Sequence, residues 1–205
     1  MGFHQGDWVR RQRTPQSAWI LPGLVAGLSA ALAIAGEPGR VWLRFDRQGI
    51  ADGEFWRLIT GHFVHLGWSH FLLNLLGLLL IWYLVGSHFR VTNWLFVFLV
   101  AITGIDVGFW LIEPQLEWYV GLSGLLHALL AAGVVGGYSK ARAESLVLAL
   151  VLLGKLGYEQ IAGPLPGSEQ STGGAVVVVA HLYGAIAGVV AAAILAIRSR
   201  PRRSI

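Results

Sequence analysis

The sequence predicts an all-α fold, a polytopic bundle of six membrane-spanning helices. Of its 205 residues, 55% are hydrophobic and 13% charged, about half the charged share of a soluble domain. Mean hydropathy is +0.63. The apolar residues also fall in long blocks. A span needs about 20 largely apolar residues, so the chain has room for about six with short loops and no separate soluble domain.

The chain contains no cysteine. Disulfides, thiolate zinc sites, iron–sulfur clusters and cysteine nucleophiles are therefore excluded. The sequence pI is about 9.9. Its basic residues sit at the two ends and beside apolar blocks, where membrane topology accounts for them without a nucleic-acid partner.

Residues 1–16 are polar, with Arg10, Arg11 and Arg13, and read as a cytoplasmic tail. The apolar block 17–36 reads as the first span. A cleaved signal peptide is the competing reading, since Ala33-Ile34-Ala35 resembles a cleavage site. The block exceeds the usual ~7–15-residue apolar region of such peptides. Residues 37–68 form a long outer loop with Trp42, Phe45, Phe55, Trp56, Phe63 and Trp68, suited to the membrane interface, where tryptophan is enriched. Trp56 and Arg57 are expected to anchor it there. Further spans are expected at 69–86, 93–112, 120–138, 143–160 and 174–197, within a membrane domain covering 17–197. Residues 198–205 form a basic tail.

Charge sets the orientation. The 87–92 and 139–142 turns and both tails carry Lys or Arg, whereas the 113–119 and 161–173 loops carry acids and neither. Both termini are therefore expected on the cytoplasmic side. The first loop departs from this pattern with Arg40, Arg44, Arg47 and Arg57. No internal repeat is evident, which disfavours an inverted-repeat transporter.

Polar side chains inside a bilayer are costly and default to functional readings. Helices 2, 4 and 6 run inward from the outer face. They carry His70 and Asn74, then Ser123, then His181. At ~1.5 Å per residue, each lies roughly 5–12 Å below the outer end of its helix. This set suits acyl transfer. A serine hydroxyl needs a base, neutral imidazole is the usual one, and the oxyanion needs donors. His70 and Asn74 are four residues apart, on one helical face. The Ser123 N–H near a helix N-terminus is another donor. No third triad member is evident, and ring or backbone packing can orient His181. Gly121 and Gly124 let the backbone turn beside Ser123. Gly184 and Gly188 give the small-residue face that brings His181 to it.

These residues resemble the rhomboid family of intramembrane proteases. The matching pieces are Glu54-Phe55-Trp56-Arg57, His65, His70-Phe71-Leu72-Leu73-Asn74, Gly121-Leu122-Ser123-Gly124 and His181-Leu182-Tyr183-Gly184 with Gly188. The resemblance implies a rhomboid-like six-helix bundle, Ser123 as nucleophile, His181 as its base, and an oxyanion site lined by His70 and Asn74 with Gly121. It implies no cofactor and no metal. Its partners are membrane-anchored protein substrates and the lipid bilayer, and its place is the bacterial inner membrane. The runs 61–70 and 119–124 further resemble the rhombosortase subfamily, associated with cleaving Gly-Gly-containing C-terminal anchors of exported proteins.

Blander readings stand beside these. A non-catalytic rhomboid-like protein could hold transmembrane clients. His70 and His181 could ligate haem, but a second well-placed pair is missing. Gly23/Gly27, Gly104/Gly108 and Gly133/Gly137 read as packing pairs. His62 and His65 read as loop structure, His127 as a hydrogen-bonded structural residue, and Asp106 as part of a polar network. Lys155 and Glu159, spaced i, i+4, are expected to neutralise each other, with a role in recognition open.

Overall fold

The computed structural model describes residues 19–199. The two tails and their arginines, apart from Arg198, lie outside them. Among these residues, ten α-helices and one two-residue ladder follow in chain order: α1 (Ile20–Ile34), α2 (Gly36–Leu43), β1 (Phe45–Asp46), α3 (Arg47–Ala51), α4 (Arg57–Thr60), α5 (Trp68–Val85), α6 (Val91–Ile112), β2 (Trp118–Tyr119), α7 (Ser123–Gly137), α8 (Arg142–Ala162), α9 (Ser168–Thr172) and α10 (Val178–Arg198).

The bundle is built from α1, α5, α6, α7, α8 and α10. Four of these, α5, α6, α8 and α10, are long and apolar enough to cross a membrane, and α1 qualifies when joined to α2. The α1–α2 pair bends by 116°, so the helix axis turns sharply after Ile34. The expected fourth span is shorter than its apolar block. α7 has 15 residues, about 22 Å of helix against a hydrocarbon core of about 30 Å. The missing length is an extended segment that carries the chain down to Ser123.

Burial runs both ways, as lipid requires. Leu78, Trp82, Trp94, Ile105, Leu125 and Leu129 are sealed inside, while Leu76, Leu99, Leu111, Leu150, Leu153 and Ile161 face outward. Indole Nε1 of Trp94 donates to the Gly86 carbonyl at 2.9 Å, so even this buried polar atom has a partner.

α7 and α10 approach most closely. A Cβ on Gly184 would lie 2.0 Å from the Gly124 carbonyl oxygen, and one on Gly188 would lie 2.2 Å from that of Ala128. Gly104 and Gly108 on α6 pack in the same way against Ala187 and Tyr183 of α10. Gly133 and Gly137 receive Val85 and His88. Gly23 and Gly27 depart from the packing expectation, because nothing lies within 4 Å of a Cβ at either. They are on the outward face of α1.

The first long loop, 37–68, is a folded unit. β1 and β2 pair antiparallel, Phe45 with Tyr119 and Asp46 with Trp118. The ladder ties that loop to the segment leading into Ser123. Its arginines, which broke the topology pattern, are structural. Arg47 donates to the carbonyls of Phe109, Trp110, Glu113 and Leu116, satisfying the open C-terminal carbonyls of α6. Arg57 is 7% exposed and donates to Val41, Arg44 and Glu54, so it staples the loop rather than anchoring it to lipid. Trp56 remains exposed and donates to the Trp42 carbonyl. Arg44 pairs with Asp46 at 2.8 Å. Burial works to raise the Asp46 carboxyl, but the Gly49 N–H and the Arg44 guanidinium outweigh it and hold it below its usual value.

Candidate active site

Ser123 is the first residue of α7, where backbone N–H groups have no partner one turn back. The turn before it requires Gly121, whose φ is +136° and whose Cβ would press on the His70 ring at 3.1 Å. Two bonds fix that turn. The Gly121 N–H donates to the Gly61 carbonyl at 3.1 Å, and the Tyr119 hydroxyl donates to the Gly121 carbonyl at 2.6 Å. Burial pushes the Tyr119 phenol up, so it stays a donor.

His181 lies on α10, three residues from its N-terminal end. Its Nε2 is 2.9 Å from the Ser123 Oγ. On its far side Nδ1 is 2.9 Å from Oε2 of Glu159. The His127 ring stacks on the His181 ring at 4.2 Å, inclined 17°, and His127 Nδ1 is 2.7 Å from the Ser123 carbonyl, to which it donates. His127 thus does what was expected of a hydrogen-bonded residue and also holds the His181 plane.

His70 and Asn74 line the same cavity as Ser123 and His181. The Leu66 N–H donates to His70 Nδ1 at 3.3 Å. That nitrogen is therefore an acceptor, and the proton sits on Nε2, the atom beside Gly121. Asn74 donates one amide hydrogen to the His70 carbonyl at 3.2 Å, leaving the other amide hydrogen unassigned. The cavity is about 380 Å³ and mostly apolar-walled, with α9 and residues 175–177 over it. His65 stacks edge-on against His70 at 5.0 Å. Burial pushes its pKa down to about 3, helped by the charge His70 can carry. Asp106 is not a lone acid, since His62 Nε2 lies 3.2 Å from it.

Glu159 is the residue whose contact with the site sequence reasoning missed. It was expected to pair with Lys155, and it does, Nζ to Oε1 at 2.6 Å. Its second oxygen faces His181, so the histidine has the carboxylate partner not evident in the sequence. The available signal was position along the helices. Glu159 lies three residues before the C-terminal end of α8, and His181 three residues after the start of α10.

Ligand atoms of His127, Glu159 and His181 lie within 4.8 Å of one another, a spacing that could hold a metal. The Lys155 ammonium, 2.6 Å from Glu159 and 3.3 Å from His181 Nδ1, already supplies the cation there. The donor set therefore does not fit a metal.

A family model described as the Rhomboid domain matches residues 52–198. The chain belongs to the rhomboid family. It is a multi-pass integral membrane protein with a helical bundle. Every site residue above lies within the matched rhomboid stretch, while α1, α2 and α3 lie before it. Two curated relatives, both named Rhomboid protease GlpG, come from two strains of Klebsiella pneumoniae. Each is 30% identical over 95 residues, covering 46% of this chain and 33% of the relative. The match spans about a third of the length of these relatives.

Proposed function

We propose that this rhomboid is an intramembrane serine endopeptidase that cleaves transmembrane or juxtamembrane segments of membrane-anchored proteins. The observation that carries the reading is the 2.9 Å contact between Ser123 Oγ and His181 Nε2, facing a cavity inside an apolar bundle. The name of the two relatives, Rhomboid protease, agrees with it.

The geometry gives each group a task. Nε2 of His181 takes the hydroxyl proton as Ser123 Oγ attacks the scissile carbonyl carbon. Charge moves to the carbonyl oxygen, where His70 Nε2–H, the Asn74 amide and the Ser123 N–H are the candidate donors. The C–N bond then breaks, and His181 returns its proton to the leaving amine. Water attacks the acyl ester and gives a proton to Nε2. Nε2 passes that proton to the Ser123 oxygen as the ester C–O bond breaks, and the new carboxylic acid leaves and ionises in water. A client-holding role without catalysis gives no reason for a serine and an imidazole to share a hydrogen bond here.

The substrate class proposed is a Gly-Gly-containing C-terminal anchor, on the rhombosortase resemblance of residues 61–70 and 119–124. Physical chemistry agrees with that class. A helix ties up its carbonyls in hydrogen bonds, and each glycine weakens a helix by about 1 kcal/mol, so such an anchor opens readily. The proposed location is the bacterial inner membrane with both termini cytoplasmic, supported by the basic inner turns and by the structural use of the outer-loop arginines.

The test is co-reconstitution with a Gly-Gly-anchored substrate and a matched one carrying Leu-Leu. Cleavage of the first by wild type and not by Ser123→Ala is the expected result. Equal cleavage by Ser123→Ala would remove the nucleophile assignment. Equal cleavage of both substrates would remove the anchor class.

A further inference from the structure

We infer that Glu159 is a positioning residue that fixes the tautomer of His181, and that Lys155 dictates which way Glu159 can do so. The inference rests on the protease reading of the same site.

A carboxylate oxygen only accepts hydrogen bonds. Two groups face Nδ1 of His181, the acceptor-only Oε2 of Glu159 at 2.9 Å and the Lys155 ammonium at 3.3 Å; the shorter contact is to the carboxylate, which draws the imidazole proton onto Nδ1. Nε2 is then a lone pair facing the Ser123 hydroxyl at 2.9 Å, the form a general base needs. The second carboxylate oxygen is held by the Lys155 ammonium at 2.6 Å, which also balances the charge of an acid that is 3% exposed in the bundle. The titratable and charged groups around the imidazole are Glu159 and Lys155 on α8, His127 on α7 and His70 on α5. Glu159 is the only acid among these groups. Deacylation needs the same arrangement, because the protonated imidazole then donates from both nitrogens, one to Glu159 and one to the reacting oxygen.

This geometry makes an unusual demand on Glu159→Gln. An amide has one acceptor and one donor end. Lys155 can only donate, so it claims the amide oxygen and turns the NH₂ toward His181. Nδ1 must then accept, the proton moves to Nε2, and the imidazole cannot take the serine proton. Removing the lysine as well frees the amide to rotate. Its oxygen can then accept from Nδ1–H and restore the working tautomer. A merely structural role for the Lys155–Glu159 pair predicts the opposite, because the double variant loses more contacts than the single one.

The experiment uses the full chain in lipid nanodiscs. The rate of fluorophosphonate labelling of Ser123 is measured across pH for wild type, Glu159→Gln, Lys155→Met and Lys155→Met/Glu159→Gln, with thermal stability followed alongside. Carboxylate-to-amide exchange in soluble Ser-His-Asp triads costs about 10⁴-fold, and a loss of about 100-fold or more is expected for Glu159→Gln at unchanged stability. The double variant should recover about 10-fold or more over Glu159→Gln. Equal labelling by wild type and Glu159→Gln, or a double variant slower than the single one, would overturn the inference.

A second measurement needs no variant of Glu159 and no activity. In histidine-¹⁵N-labelled protein, the His181 signal, assigned by its loss in His181→Ala, should show a proton on Nδ1 at neutral pH. A proton on Nε2 would overturn the inference even if no variant folds. If wild type fails to label with the fluorophosphonate, the protease reading fails, while the tautomer measurement still decides the role of Glu159.

Discussion

Replacing Gly184 by alanine tests whether the approach of α7 to α10 sets the distance between Ser123 and His181. The new methyl carbon would lie 2.0 Å from the Gly124 carbonyl oxygen, and ordinary contact begins near 3.4 Å. The obstacle is backbone, so no rotamer change relieves it. The helices must part by about 1.4 Å at that point or slide past each other, and overpacking of this kind costs about 1–3 kcal/mol. The wedge sits one residue from Ser123 and three from His181. Most of the displacement therefore reaches their 2.9 Å contact and stretches it beyond a hydrogen bond. A misplacement of about 1 Å costs on the order of 10²-fold in rate. The assay is second-order fluorophosphonate labelling, with melting followed in the same detergent. Gly184→Ala should melt earlier and label about 100-fold more slowly. Gly23→Ala, on the open face of α1, should match wild type in both. A Gly184→Ala protein with wild-type labelling and melting would refute the claim that this approach positions the pair.

Two further predictions concern the first loop. Arg47→Ala leaves the last α6 carbonyls without their donor and should lower stability by on the order of 2–3 kcal/mol, with Arg47→Lys recovering part of it; an unchanged melting temperature would show that water replaces the guanidinium. His65 is held neutral in the fold, its pKa lowered from 6.5 to about 3. The unfolded chain binds the extra proton first, so the contribution of His65 is complete above pH ~6.5 and drains as pH falls toward 3. Melting of wild type between pH 7 and pH 5 should therefore fall more steeply than that of His65→Phe, and equal slopes would count against it.

Much of this architecture was legible because lipid leaves few options. Long apolar blocks can only be helices there, and the expected spans at 69–86 and 93–112 match α5 and α6 within two residues. Ser123, His181, His70 and Asn74 were legible as a set because each is an intramembrane polar residue at one depth, and the structure brings all four around one cavity. Two things were hidden. The short α7 was hidden because hydropathy does not distinguish a helix from an apolar segment descending to one, and Tyr-Val-Gly-Leu at 119–122 is as apolar as a span. What makes it extended is the ladder from Phe45 and the bond from Gly61, contacts more than 50 residues away in sequence. Glu159 was hidden because Lys155 stood at the spacing of a helical ion pair. A local partner satisfied the reading before the second carboxylate oxygen was considered.

The central claim is that Ser123 is a nucleophile activated by His181. The most direct measurement is active-site labelling of the bilayer-embedded protein with a fluorophosphonate, followed by mapping of the modified residue. The account predicts one adduct, on Ser123, absent in Ser123→Ala and formed at least about 100-fold more slowly in His181→Ala. An adduct on another residue, or labelling that His181→Ala leaves at the wild-type rate, would contradict it.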